Sequence, residues 1–192
     1  MAETPPLALV SICGSLRKGS LNAAIQRALP ELAPAGVGIT PVFGIADMPL
    51  YNADLQAEGF PQPVTDMGDA IRKADGLVIC SPEYNYSIPG VLKNAIDWLS
   101  RLKDQPFAGK PVLIQSASQG ALGGARMQYH LRQTLVFVEA LVFNRPEVMV
   151  GAAQSKIDGD GRLTDPATRD FIKQQLAAFE KFVRKVGARQ PT

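Results

Sequence analysis

The chain is poor in the residues that most enzymes use for thiol, metal and acid–base chemistry: its 192 residues hold two cysteines and one histidine. A disulfide framework or a thiolate metal cluster needs more Cys or His than Cys13, Cys80 and His130 can supply. Both cysteines close apolar runs and read as buried fillers. His130 reads as a residue on a polar helix face and only secondarily as a proton donor.

Charge of one sign is also scarce. Twenty Lys and Arg stand against 18 Asp and Glu, a net charge of +2. That makes a weak field beside the basic stripe of a nucleic-acid-binding protein, so nucleic acid is not an expected partner. Long apolar runs are missing as well. No stretch approaches the roughly 20 residues a spanning helix needs, and Met1–Pro6 lack the basic-then-apolar order of a signal peptide. The expectation is a cytoplasmic protein with no membrane insertion. The length fits one domain over residues 1–192.

What the chain has is alternation. Short runs rich in Val, Ile and Leu at Leu7–Cys13, Val37–Phe43, Gly76–Ser81, Pro111–Ser116 and Leu141–Val150 read as strands. Pro146 breaks the last of these and marks it as an edge or offset strand. Between them, Leu21, Ile25, Ala28, Leu29 and Leu32 recur at helical steps, as do Met127, Leu131, Leu135 and Val138. A final stripe of Phe171, Ile172, Leu176, Phe179, Phe182, Val183 and Val186 follows Thr164-Asp165-Pro166, a cap with proline at the helix start. Ala46–Gln62 and Ser155–Asp165 read as surface loops, with a turn at Asp158–Gly161. That turn lacks the ligand set of a calcium-binding EF-hand loop.

Strands alternating with helices predict an α/β domain built of parallel strands, whose ligands bind beyond the carboxyl ends of the strands. Three loops follow strand ends there. The first, Gly14–Asn22, carries Ser15, Arg17, Lys18, Gly19, Ser20 and Asn22, a set of hydroxyl, guanidinium, side-chain amide and helix N-terminal donors expected to point at one anion. It has no lysine between Gly19 and Ser20, so it is not the loop of a nucleoside triphosphatase. It has no third glycine of a dinucleotide fingerprint either. A monophosphate fits better, against the plainer reading of a Ser/Gly turn with a helix cap.

The second loop, Ser81–Gly90, places Glu83, Tyr84, Asn85 and Tyr86 between two prolines, a flat apolar surface edged with donors that suits a planar heteroaromatic ring. A tyrosine-rich contact with another subunit is the competing reading, and both hold if the ring binds at a subunit boundary. The third, Ser116–Gly124, is small and glycine-rich and permits close backbone approach.

Taken together, Gly14-Ser15-Leu16-Arg17-Lys18-Gly19-Ser20-x-Asn22 and Ser81-Pro82-Glu83-Tyr84-Asn85-Tyr86-Ser87-x-Pro89-Gly90-x-Leu92-Lys93-Asn94-Ala95-Ile96-Asp97-Trp98 resemble the NADPH-dependent FMN reductase family. Within it the chain looks like the bacterial chromate and quinone reductase branch. The likeness runs over essentially the whole chain, including Gly123–Arg132.

The resemblance implies a flavodoxin-like three-layer fold with a five-stranded parallel sheet in the order 2-1-3-4-5. It implies one non-covalent FMN per subunit, NADPH or NADH as co-substrate, and a homodimer or homotetramer with the flavin near a subunit boundary. By position it assigns Ser15, Arg17, Ser20 and Asn22, with Leu21 at the helix start, to the phosphate. Pro82, Glu83, Tyr84, Asn85 and Tyr86 fall to the ring and ribityl chain, and Ser118 completes the pocket.

The implied reaction passes hydride equivalents from NAD(P)H to quinones, free flavin, azo dyes, nitroaromatics or chromate by a ping-pong scheme, with no catalytic side chain required. Access would be shaped by Ala46–Pro63 and a partner subunit, and Arg126, Tyr129 and Glu147 are candidates to join subunits. An FMN electron carrier of the flavodoxin type is the alternative, although such carriers are acidic. An iron–sulfur flavoprotein is excluded by the cysteine count.

Overall fold

The computed structural model describes residues 5–187. Met1–Thr4, on which part of the signal-peptide argument rests, lie outside them. The strands are β1 (Leu7–Cys13), β2 (Val37–Pro41), β3 (Gly76–Cys80), β4 (Pro111–Ala117), β5 (Leu141–Val142) and β6 (Val148–Val150). The helices are α1 (Leu21–Leu32), α2 (Ala53–Glu58), α3 (Gln62–Lys73), α4 (Gly90–Leu99), α5 (Ala125–Phe137) and α6 (Pro166–Gly187).

All pairings in the sheet are parallel, in the order β2-β1-β3-β4-β5, with β6 also on β4. This is the flavodoxin-like order expected. The fifth position is filled in two pieces: β5 pairs with Pro111–Val112 at one end of β4, and β6 with Gln115–Ala117 at the other. The break at Pro146 therefore falls at the sheet edge, where a missing backbone donor costs least.

Side-chain alternation along the strands builds two cores. Leu77 and Ile79 face α3, α4 and α5, while Val78 and Cys80 face α1 and α6. The sheet is thus the middle of three layers. β3 and β4 are buried along their whole length, the signature of parallel strands covered on both faces.

Asp165 caps α6 as its sequence suggests, accepting from Thr168 N at 2.8 Å. Phe171 departs from the apolar stripe of that helix and lies 41% exposed. Of the two supposed filler cysteines, Cys80 is buried and Cys13 only partly so.

Ala46–Gln62 is not simply a surface loop. It contains most of a short 3-10 turn at Ile45–Asp47, the whole of α2 and the start of α3, and it buries Met48. Its order comes from α4. Pro49 O accepts from Trp98 Nε1 at 2.8 Å and from Asn94 Nδ2 at 2.9 Å, and Asn94 Oδ1 accepts from Tyr51 N at 2.7 Å. Tyr51 and Phe60 pack edge-on against the Trp98 ring. Proline- and asparagine-rich composition hides this anchoring, because the partners lie 38 to 49 residues away.

Candidate functional site

In the sheet, Cys13 pairs with Cys80 and Cys80 with Gln115, so β1, β3 and β4 end side by side. The ladder continues one step into the loops through Gly14 N to Cys80 O (2.9 Å) and Ser81 N to Gln115 O (3.0 Å). Gly14 is needed for that approach: a Cβ there would stand 2.5 Å from Ser81 Oγ. The three loops singled out in the sequence therefore meet at one edge.

Between them lies a cavity of ≈ 390 Å³. Ser15, Arg17, Ser20, Leu21 and Asn22 line it from the first loop. Pro82, Glu83 and Tyr84 come from the second, and Ser118 from the third. Ala117 and Gln119 also line it and were not singled out from sequence; only the small-residue character of the third loop pointed their way. Asn85 and Tyr86 do not line it.

At the first loop, Ser20 is the cap of α1, accepting from Ala23 N at 3.2 Å. The first-turn amides of Leu21 and Asn22 have no intrahelical acceptor and lie beside the cavity. With Ser15 Oγ, Ser20 Oγ and the exposed Arg17, they form a donor set for an anion.

The Asn22 side chain has a different task. It is 2% exposed, and its amide is spent on Ala117, donating to the carbonyl at 3.0 Å and accepting from the N–H at 2.8 Å. It ties the first loop to the third and positions the cavity wall.

Glu83 is likewise engaged. Its Oε2 accepts from Arg126 N (3.0 Å) and Met127 N (3.2 Å), and its Oε1 pairs with the Arg126 guanidinium at 3.2 Å. The carboxylate thus caps α5, where orphan amides and the positive end of the helix dipole favour it. Arg126 also stacks over the Tyr86 ring at 3.8 Å from its centroid.

Tyr84 and Ser87 exchange backbone hydrogen bonds at 3.0 Å, and Asn85 and Tyr86 between them have φ of 50° and 68°. This is a two-residue turn of the primed class. Asparagine adopts that conformation readily; tyrosine does so only when its surroundings hold it, and here Arg126 does. On the same turn, Ser87 Oγ meets His130 Nδ1 at 3.1 Å.

Cys13 ends β1, and its Sγ lies 3.8 Å from Ser15 O of the first loop. Burial pushes its thiol above the ordinary range, against a smaller opposing effect of hydrogen bonds with Ser15 and Ser20. Burial raises Cys80 further. Neither is an activated thiolate. Among the described residues no cluster of three or more His, Cys, Asp or Glu is placed to hold a metal, and no helix is long and apolar enough to cross a membrane.

The arrangement suits a phosphorylated planar ligand: anion donors at one end, a proline- and tyrosine-lined surface at the other, and no acid–base pair. Comparison with known proteins agrees. Residues 7–155 match the model of the family described as NADPH-dependent FMN reductase. A quinone reductase of Escherichia coli K12 is 56% identical over 182 residues, 94% of this chain and 97% of that protein. An NAD(P)H-dependent FMN reductase of Pseudomonas aeruginosa is 50% identical, with 93% and 96% covered. The solved structure of the flavoenzyme NAD(P)H:(acceptor) oxidoreductase FerB from Paracoccus denitrificans superposes with a TM-score of 0.84 at 34% identity, covering 93% of this chain and 98% of that one.

Proposed function

Because the chain belongs to the NADPH-dependent FMN reductase family and is on that ground an NAD(P)H-dependent flavin enzyme, we propose that the cleft at the ends of β1, β3 and β4 holds one non-covalent FMN and passes electrons from NADH or NADPH to quinones. The observation that carries this reading is the convergence of all three loops on one cavity, with the anion donors confined to one end.

The residues fit the group. Ser15, Ser20, Arg17 and the free amides of Leu21 and Asn22 would hold the phosphate. Pro82, Glu83 and Tyr84 would line the ring and ribityl chain, and Ser118 would close the far side. Asn22 and Glu83 act through their side chains as positioning residues, one on the wall of β4 and the other on α5 and the tyrosine turn. Asn85 and Tyr86 give that turn its shape. When bound, the flavin supplies two-electron chemistry, which is why this chain can manage with a solitary histidine and two buried or half-buried thiols.

Tyr84, which lines the cleft and is 49% exposed, marks its open side. One open side serves NAD(P)H and acceptor in turn, so the kinetics are ping-pong, and an open side admits quinones, azo dyes, nitroaromatics and chromate alike. Exposed apolar side chains, among them Leu16, Leu50, Tyr86 and Tyr129, favour a homodimer or homotetramer in which a second copy covers part of the surface of this single FMN-binding domain. Arg126 is already engaged within the chain, and so are Tyr129 and Glu147, which meet at 3.3 Å. The proposed setting is the cytoplasm, where NAD(P)H is supplied.

Initial rates of NAD(P)H oxidation, measured against NAD(P)H at several fixed quinone concentrations, test this reading. Parallel double-reciprocal lines are expected. Intersecting lines contradict the shared open side, and negligible turnover favours a one-electron carrier instead.

A further inference from the structure

The phosphate end of the cleft shares its wall with a neighbouring space. Arg17, Ser20, Leu21 and Gln119 line the cleft on one side and, on the other, a second cavity of ≈ 410 Å³. This cavity lies between α1 and the turn at Ile157–Gly161. Lys18 and Arg27 add two cations there, beyond the donors that a phosphate monoester at Ser15, Arg17 and Ser20 would use.

The far wall is fixed. Arg27 Nη2 donates to Gly161 O at 2.8 Å, and Gly161, at φ +74°, leaves room for the guanidinium: a Cβ there would stand 2.8 Å from Nη2. The turn itself is shaped by Asp158, whose Oδ1 accepts from Asp160 N (3.0 Å) and Arg162 N (2.8 Å). The Asp160 carboxylate, by contrast, has no hydrogen-bond or ion-pair partner among the described residues, and it lines the cavity.

We propose that this second cavity takes the adenosine monophosphate half of flavin adenine dinucleotide, so that the protein binds FAD as well as FMN. The inference rests on the flavin reading of the cleft. Three features carry it. The cavity adjoins the phosphate end, sharing Arg17, Ser20, Leu21 and Gln119 with the cleft, which is where a second phosphate would follow the first. It brings Arg17, Lys18 and Arg27 to that place, matching the added negative charge. And it offers the free carboxylate of Asp160 as an acceptor for a ribose diol, a pairing acidic residues make in dinucleotide sites. At ≈ 410 Å³ against ≈ 390 Å³, the space is as large as the one assigned to the bulkier flavin half.

The test is a titration of flavin-free protein with FMN and with FAD, read by flavin fluorescence, for the wild type and for Asp160→Ala. Asp160 is exposed, and its side chain supports no other group among the described residues, so folding is not at issue. Wild type is expected to bind FAD within about tenfold of FMN, and the variant to lose about ten- to a hundredfold in FAD affinity, the effect of one charge-assisted hydrogen bond, with FMN affinity unchanged. FMN binding with FAD weaker by more than about a hundredfold overturns the inference and leaves the cofactor reading standing. Equal losses for both flavins also overturn it. So does an unchanged FAD affinity with a raised KM for NADH or NADPH in the FMN-loaded variant, which would assign the cavity to the adenylate of the co-substrate. Binding of neither flavin overturns the cofactor reading itself.

Discussion

Asn22 and Ala117, 95 positions apart, are joined by two hydrogen bonds: the side-chain amide donates to the Ala117 carbonyl at 3.0 Å and accepts from its N–H at 2.8 Å. The pair bolts the first turn of α1 to the end of β4. Replacing Asn22 by Ala leaves a buried N–H and a buried C=O unpaired, for an expected loss of about 2–4 kcal/mol. Urea unfolding of the flavin-free protein measures it. Asn22→Asp keeps the acceptor but turns a carboxylate oxygen toward the Ala117 carbonyl, and is expected to destabilise at least as much. A side chain that served the phosphate alone would change FMN affinity and leave the unfolding midpoint in place.

Arg17 presents the opposite case. It is exposed at the cavity mouth, and no hydrogen bond or ion pair engages its guanidinium among the described residues. Arg17→Ala is expected to leave the stability of flavin-free protein unchanged and to weaken FMN binding by about ten- to a hundredfold, the effect of one charge-assisted contact. Because the site is open, the loss should shrink as ionic strength rises. An unchanged dissociation constant, read by fluorescence titration, contradicts the assignment.

A pH effect follows from Asp165. Hydrogen bonds from the Thr168 hydroxyl and from Thr168 N hold its carboxyl below the ordinary range. A pKa lower in the folded than in the unfolded chain stabilises the fold above the unfolded value, and that stabilisation is lost as pH falls through the folded one. Wild type is therefore expected to be more stable than Asp165→Ala at neutral pH, with the gap narrowing below about pH 4. Denaturation series at several pH values check the sign; a gap that widens on acidification contradicts it.

Local pattern made much of this molecule legible. The five apolar runs, the capping Ser20 and Asp165, and the three loops after β1, β3 and β4 are all signalled by residues close together in the chain, because strand burial and helix capping are short-range matters. What stayed hidden depends on distant partners. Glu83 reads as one more polar residue of a tyrosine-rich loop until α5 is seen to begin above it, 43 positions later. Tyr51, Phe60 and the Pro49 carbonyl are ordered by Asn94 and Trp98, so a stretch with loop composition folds into α2 and the start of α3. The second cavity beyond Arg17 exists because a turn around Gly161 folds back on Arg27, which no spacing announces.

On the proposed function, the cleft formed by these loops carries a flavin that NAD(P)H reduces. The visible absorption spectrum of the purified protein tests it most directly, with FMN added if the protein is isolated without it, followed by NADH or NADPH without oxygen and then a quinone. The expected result is a pair of flavin bands that bleach on addition of NAD(P)H and return with the quinone. A protein that retains no flavin after exposure to FMN, or whose flavin bands are unmoved by either nicotinamide cofactor, would contradict the account.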